Sequence, residues 1–398
     1  MRSSRHIIDK TEKYGAANYK PKEVVVERAE GIMVYNPEGE AFIDMLSAYS
    51  ALNFGHRHPE IIAAAKEQLD KVTLTSRAFH NAVLCDFYEN ICALTGKNMV
   101  LPMNTGAEAV ETAIKTARRW GADIKGVEEH CQEIIVCENN FHGRTITIIT
   151  MSTDKTARRG FGPFTPGFVK IPFGDSNALQ AAITPNTVAF LVEPIQGEAG
   201  VIVPPDGYLQ RARAICTANN VLFIADEVQT GFARTGTMFA CQRENVVPDI
   251  YVLGKALGGG VLPVSAIAAN KDILGVFEPG SHGSTFGGNP LACAVAVKAM
   301  EILVRDDYAA QAEEKGSYFI EKLREIKNDD IIDIRGRGLL IGVEFKIPAA
   351  GYVKKLIANG VLAKETHENT IRFAPPIVIT KEELDEAIGR IQTALKGD

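Results

Sequence analysis

The sequence predicts an α/β protein, with a mostly parallel sheet flanked by helices and a smaller α+β part drawn from the two ends of the chain. Three observations carry this. Short, continuous apolar runs at 188–192, 221–225 and 250–253 lack polar alternation, as strands buried on both faces require. Helix-period segments lie between such runs, and strand, helix, strand in succession places consecutive strands parallel with helices on both faces. From about Asp306 the composition turns to charged helices and short strands. The expected division is 1–50 as an N-terminal segment of the small domain, 51–305 as the large domain and 306–398 as the rest of the small domain.

Taken in order, residues 20–43 read as short strands at 24–26 and 32–35, with Asn36, Pro37, Glu38 and Gly39 forming a turn. Pro59 opens a helix whose Ile62, Ala65, Leu69 and Val72 recur at helical spacing. His56 and His58 precede it without a third metal ligand nearby, so capping or core roles are expected of them. A polar turn at 104–108 opens a helix running to Trp120, and 133–138 is a strand ending in Asn139, Asn140, Phe141, His142, Gly143 and Arg144. A strand at 168–171, a helix from Ser176 and a helix at 208–218 continue the alternation. A glycine-rich loop at 282–290 leads into a helix at 291–304. Beyond it are a helix at 308–326, an alternating strand at 339–345, and a strand carrying Arg372 that stops at Pro375 and Pro376. Residues 381–395 form a closing amphipathic helix.

Composition excludes several roles. A chain of 398 residues, 46% hydrophobic and 23% charged, can bury a large core. Its formal net charge of -6 leaves no basic excess for general binding to nucleic acid or a membrane surface. Seven cysteines, with no C-x-x-C spacing, point to buried reduced thiols instead of a disulfide frame or a zinc site. The first fourteen residues lack the apolar core of a secretory signal, and Asp9 and Glu12 argue against a transit peptide, so the expected location is cytoplasmic.

Chemistry concentrates at 221–260. The strand 221–225 is closed by Asp226 and Glu227, and the strand 250–253 by Gly254, Lys255 and further glycines at 258, 259 and 260. In open α/β sheets ligands bind beyond the carboxyl ends of strands, so Asp226 and Lys255 address one crevice. A lysine that forms an imine needs a small surround for close approach, and an acid facing a pyridine nitrogen keeps that ring an electron sink. Each residue taken singly is more often an ordinary strand-end acid or a surface lysine. At the helix start, Gly106 and Ala107 offer free amides suited to a phosphate. Phe141 at a strand end suits a flat ring, Arg144 a carboxylate. Glu193 and Glu198 lie beyond another strand at the same edge.

The segments 226–231 and 254–257 resemble the acidic turn and lysine segment of the subgroup III, pyridoxal-phosphate-dependent aminotransferases, and the likeness extends from Tyr14 to Leu395. It implies fold type I, with a seven-stranded large-domain sheet, and pyridoxal 5′-phosphate as cofactor. By the same resemblance Lys255 holds the cofactor and moves the substrate proton, Asp226 keeps the ring nitrogen protonated, Gln229 bonds the ring oxygen and Phe141 stacks on the ring. Gly106 and Ala107 hold the phosphate, and Thr285 reaches the phosphate of the other subunit, which implies a homodimer or a higher homo-oligomer. Arg144 meets a substrate carboxylate, and Arg372 pairs with Glu198 until a dicarboxylate displaces it. His142 receives no catalytic role. Residues 15–20, 47–50 and 74–79 resemble the branch of the family that takes the δ-amino group of L-ornithine and passes it to 2-oxoglutarate, with Tyr19 on the α-carboxylate and Tyr49 lining the pocket. N-acetylornithine and 4-aminobutyrate are the alternative donors within the family. A phosphate-binding nucleotide hydrolase is disfavoured because Ala256 replaces the required hydroxyl, and a dinucleotide dehydrogenase because the glycines at 336–342 lead into a strand.

Overall fold

A computed structural model describes residues 2–397. Helix Ser4–Tyr14 is followed by three antiparallel strands, β1 (Arg28–Glu30), β2 (Met33–Tyr35) and β3 (Ala41–Asp44). Asn36 closes the turn between the last two, its Oδ1 accepting from Glu40 N at 2.8 Å. Residues 24–26 are not the expected strand. Val24 N turns back to Lys22 O at 2.8 Å, and ladder pairing starts only where Glu27 N reaches Tyr35 O at 2.9 Å. Val24 and Val26 instead wall a hollow that also contains Tyr19 and Tyr49.

Seven strands make the central sheet: β4 (Met99–Met103), β5 (Glu133–Cys137), β6 (Phe168–Ile171), β7 (Thr187–Val192), β8 (Leu222–Asp226), β9 (Ile250–Leu253) and β10 (Ser265–Ala269). Their order is β4-β10-β9-β8-β7-β5-β6. Only β10 runs antiparallel to its neighbours, so the sheet is mostly parallel as expected. Alternate residues serve opposite cores. Ile134, Val136, Leu191, Ile224 and Val252 pack with Val110, Ala113 and Ala117 of helix Gly106–Trp120. Ile135, Phe190, Phe223 and Ala225 pack with Leu209, Ala212 and Cys216 of helix Tyr208–Ala218. Each large side chain so buried contributes roughly 1.5–3 kcal/mol, which is why these runs carry no polar alternation.

Helix Pro290–Arg305 packs against Pro59–Leu69 and Leu84–Thr95. The chain continues through helix Tyr308–Arg324 to β11 (Ile331–Arg337), β12 (Leu340–Phe345), β13 (Val361–Leu362), β14 (Lys364–Thr366) and β15 (Thr370–Phe373). A second four-stranded sheet has the order β11-β12-β15-β14, while β13 runs parallel to β3 and so joins the two ends of the chain. Strand β12 is not half-exposed as its alternation suggests. It lies between β11 and β15, and a side chain on Gly342 would come within 3.1 Å of Val201, so both faces are covered. The closing helix Lys381–Leu395 starts with a reciprocal cap between Thr380 and Glu383. Four of the seven cysteines are buried, but Cys85 is exposed, contrary to the uniform burial expected. Among the described residues no helix is long and apolar enough to cross a membrane.

Candidate active site

Strands β8 and β9 are parallel neighbours, with Asp226 paired in register to Val252, so the end of one and the loop after the other share an edge. Asp226 ends β8, and Lys255 follows β9 with a left-handed backbone, φ 45°. Asp226 is buried and held at both oxygens: Oδ1 accepts from Val228 N at 3.1 Å, and Oδ2 meets His142 Nδ1 at 2.6 Å. His142, to which the sequence assigns no catalytic role, is a structural partner of this acid. Its side chain is fully buried; burial alone disfavours its charged form, but the hydrogen bond and charge of Asp226 outweigh this and raise its pKa. Its Nε2 is buried without a partner. No sequence signal connects two residues 84 positions apart; only the fold does.

Burial is also the main influence on Lys255, lowering its amine to about 8, while Glu198, Asp226 and Glu193 pull the other way and Arg372 adds to the lowering. Glu193, the other acid at this edge, is buried and accepts from Phe141 N at 2.8 Å. Burial raises its carboxyl to about 7, with His142 opposing and Asp226 reinforcing the shift. Glu193 thereby fixes the backbone of Phe141, a link that spacing did not disclose.

Helix Gly106–Trp120 is capped by Thr105 and Glu108 in reciprocal fashion. The first bond of the helix ladder is Ala109 N to Thr105 O at 3.1 Å, which leaves the amides of Gly106 and Ala107 ahead of it. A Cβ on Gly106 would lie 3.1 Å from Val228, two residues past Asp226, so this helix start abuts the acidic turn.

Arg372 is 2% exposed, and its Nη1 donates to Glu198 Oε1 at 2.6 Å and to Gln229 Oε1 at 3.2 Å. Gln229 Nε2 in turn donates to Glu198 Oε1 at 3.2 Å. Burial, the largest single influence, raises the Glu198 pKa, but the charges of Arg372 and Lys255 together with the hydrogen bonds from Arg372 and Gln229 outweigh it, and the net shift is downward. The close seat of Gln229 requires Gly197, since a Cβ there would fall 1.6 Å from Gln229 Oε1. The Arg372 guanidinium lies 5.1 Å from the centre of the Tyr49 ring.

Tyr49 is presented by an unusual backbone. Ser47, Ala48, Tyr49 and Ser50 have φ of 49°, 46°, 62° and 74°, a left-handed turn without glycine. Such residues cost on the order of 1–2 kcal/mol each. Asp44 holds the entry, its Oδ1 accepting from Leu46 N and Ser47 N at 2.9 Å and its Oδ2 meeting His56 Nε2 at 2.9 Å. His56 is thus a core partner, and His58 packs edge-on to Phe54.

The fold therefore brings Asp226, Lys255, Gln229, Glu198, Arg372 and Tyr49 to one edge. Phe141, Arg144 and Glu198 line a common hollow beside it, with the Arg144 guanidinium 5.1 Å from the Phe141 ring. Tyr19 is exposed but shares a second hollow with Tyr49. Thr285 is exposed.

A buried lysine with a lowered amine, an acid backed by an imidazole and a helix start with free amides form the donor set that suits a phosphorylated pyridine aldehyde. Matching residues 14–395 to the class-III aminotransferase model agrees: the chain belongs to the class-III aminotransferases, enzymes of the fold type I architecture that work with pyridoxal 5′-phosphate. Among its relatives, the ornithine aminotransferase of Brevibacillus brevis is 62% identical over 99% of both chains, and that of Geobacillus sp. is 61% identical over the full length of both. The ornithine aminotransferase structure from Toxoplasma gondii, 44% identical, superposes with a TM-score of 0.98 over 99% of this chain and 94% of that one. The acetylornithine aminotransferase structure from Elizabethkingia anophelis, 46% identical, gives 0.91 over 99% of both.

Proposed function

We propose that this protein is an ornithine δ-aminotransferase, moving the δ-amino group of L-ornithine to 2-oxoglutarate and releasing glutamate 5-semialdehyde and glutamate. The observation that carries the reading is the closed Glu198–Arg372 pair against Tyr49. While the pair is closed, the charge of Arg372 is neutralised and the amine-bearing end of the donor, itself a cation until it gives up a proton, can approach. A dicarboxylate that enters later competes for the guanidinium with Glu198.

Pyridoxal phosphate, when bound, supplies the aldehyde that takes up an amino group and the ring that delocalises an electron pair from the reacting carbon. Lys255 would hold it and, once free, carry the proton at the δ-carbon; an amine lowered to about 8 is a competent base near neutral pH. Asp226, steadied by His142, would hold a proton at the ring nitrogen, and Gln229 would donate to the ring oxygen. Gly106 and Ala107 would receive the phosphate through their amides. Phe141 would cover the ring face, while Tyr19 and Arg144 would take the donor's α-carboxylate and Tyr49 would wall its pocket.

Thr285 fits this scheme in a second copy, whose phosphate it would reach. Phe286, Phe79 and Leu74 are exposed, and Asn81 Nδ2 ties 74–81 to the Thr285 loop at Gly288 O, 3.1 Å away, which supports an apolar dimer face here. The two-domain division at about 50 and 305 belongs to the same proposal. Free thiols at all seven cysteines support a reducing, cytoplasmic location.

The test is an absorbance scan of the loaded protein mixed with L-ornithine, N-acetylornithine or 4-aminobutyrate, without keto acid. Fastest loss of the cofactor's yellow band with L-ornithine supports the reading. Faster loss with either competitor reassigns the donor.

A further inference from the structure

Strands β14 and β15 are antiparallel, and Lys364 lies directly opposite Arg372. Residues so paired point to the same face with Cβ atoms about 4.5–5.5 Å apart, and like charges there are destabilising. Arg372 is answered by Glu198 at 2.6 Å. Lys364 is not: among the described residues no carboxylate lies within ion-pair distance of it, and the adjacent Glu365 is taken by Lys22 at 2.5 Å. A cation placed against another cation, partly buried and without a counter-ion, is a cost that a bound anion would remove.

The position of Lys364 is set by Tyr49. Its Nζ donates to the Tyr49 hydroxyl at 3.1 Å and lies 5.3 Å from the ring centre, while Arg372 lies 5.1 Å from the same ring. An ammonium has three donors, so two remain after the bond to Tyr49. Both Lys364 and Tyr49 line the hollow shared with Tyr19, whose other walls include Val24, Leu46 and Leu362. Lys20 and Lys22 also line this hollow, Lys22 being held by Glu365; apolar walls, two phenols and the Lys364 amine set by Tyr49 suit a carboxylate on a short aliphatic chain.

Resting on the ornithine reading, we propose that Lys364 is a further specificity-determining residue, which joins Tyr19 and Arg144 in receiving the carboxylate at the end of the donor remote from the transferred amine. It does so while Arg372 is held by Glu198, and the Tyr49 hydroxyl orients it.

The experiment compares L-ornithine with 1,4-diaminobutane, the same diamine without its carboxylate, in the half-reaction followed by loss of the cofactor band. It uses the loaded wild-type protein, Lys364→Gln and Lys364→Arg. Losing a hydrogen bond to a charged group costs about tenfold or more. The expected result is a fall of about that size in the preference for L-ornithine over 1,4-diaminobutane in Lys364→Gln, expressed mainly in KM, with most of it restored in Lys364→Arg. An unchanged preference, or equal losses with both amines, overturns the proposal. If wild-type protein itself fails to react with L-ornithine, the donor assignment falls; the role of Lys364 is then overturned with it.

Discussion

His142 Nδ1 and Asp226 Oδ2 meet at 2.6 Å, both buried, at the carboxyl end of the strand that faces the cofactor crevice. The contact fixes the carboxylate in one orientation, with its other oxygen tied to Val228 N at 3.1 Å. An acid that must hold a proton on a ring nitrogen gains from a partner that cannot move. In the proposed mechanism His142 would be a positioning residue in this sense, acting through Asp226.

Replacing it with phenylalanine should lower kcat for L-ornithine by about tenfold, the size expected when a charged buried group loses a hydrogen bond. His142→Asn, which keeps a donor near Asp226, should recover part of that. The stability cost carries its own signature. Because Asp226 raises the folded-state pKa of His142, the pair contributes fully below the unfolded value and progressively less as pH rises through the raised one. Melting curves should therefore show the largest gap between wild type and His142→Phe near pH 6 and a narrowing gap above it. A gap that widens with pH would contradict this.

Glu193 shows the same sign of pH dependence from a different cause, burial of an acid. Burial lifts its carboxyl to about 7, so between the ordinary carboxylate range and that value the folded protein keeps a proton that the unfolded chain has released. Stability is lost across this window, by about 3 kcal/mol at most. Glu193→Gln can still accept from Phe141 N and has nothing to ionise. Its melting temperature relative to wild type should rise from pH 5 to pH 7 and then level off; a difference independent of pH would show that the acid does not titrate there.

The strands buried on both faces were the most legible part of the chain, because β7, β8 and β9 carry short unbroken apolar runs, the pattern of a parallel sheet covered on both faces. Strands β4 and β10 were not seen. The first contains Pro102, and the second, Ser-Ala-Ile-Ala-Ala, has the composition of a helix and becomes a strand only between two ready edges. The valines at 24–26 misled for the converse reason, since strand-forming residues without a neighbouring strand do not pair. In the site, Asp226 and Lys255 could be placed because each directly follows a strand. The Asp226–His142, Phe141–Glu193 and Lys364–Tyr49 contacts join segments 52 to 315 residues apart, and no local pattern encodes them. The left-handed turn at 47–50 was hidden as well, because it is built without glycine and held by Asp44.

The Glu198–Arg372 pair predicts a change of partner preference. Removing the acid in Glu198→Ala leaves Arg372 with Gln229 and the Gly197 carbonyl, 3.2 and 3.4 Å from its Nη1. A guanidinium no longer neutralised should bind the α-carboxylate of ordinary amino acids in the first half-reaction. L-glutamate should then convert the loaded enzyme several-fold faster relative to L-ornithine than in wild type. Stopped-flow traces of the two half-reactions measure this, and unchanged rates for both donors would remove the switch from the mechanism.

Lys255 gives the most direct pH test. The amine attacks an aldehyde only when neutral, so the rate at which cofactor-free protein turns yellow on mixing with pyridoxal phosphate follows its neutral fraction. An amine lowered to about 8, chiefly by burial, predicts a rise of roughly fivefold between pH 7 and pH 8 and a plateau above pH 9. An ordinary lysine would continue to gain about tenfold per pH unit over that interval. Lys255→Ala should develop no band at any pH. A wild-type rate still climbing tenfold per unit at pH 9 would mean that burial does not lower this amine in the folded protein, and the base required for the δ-carbon proton would have to be sought in another residue at the same edge.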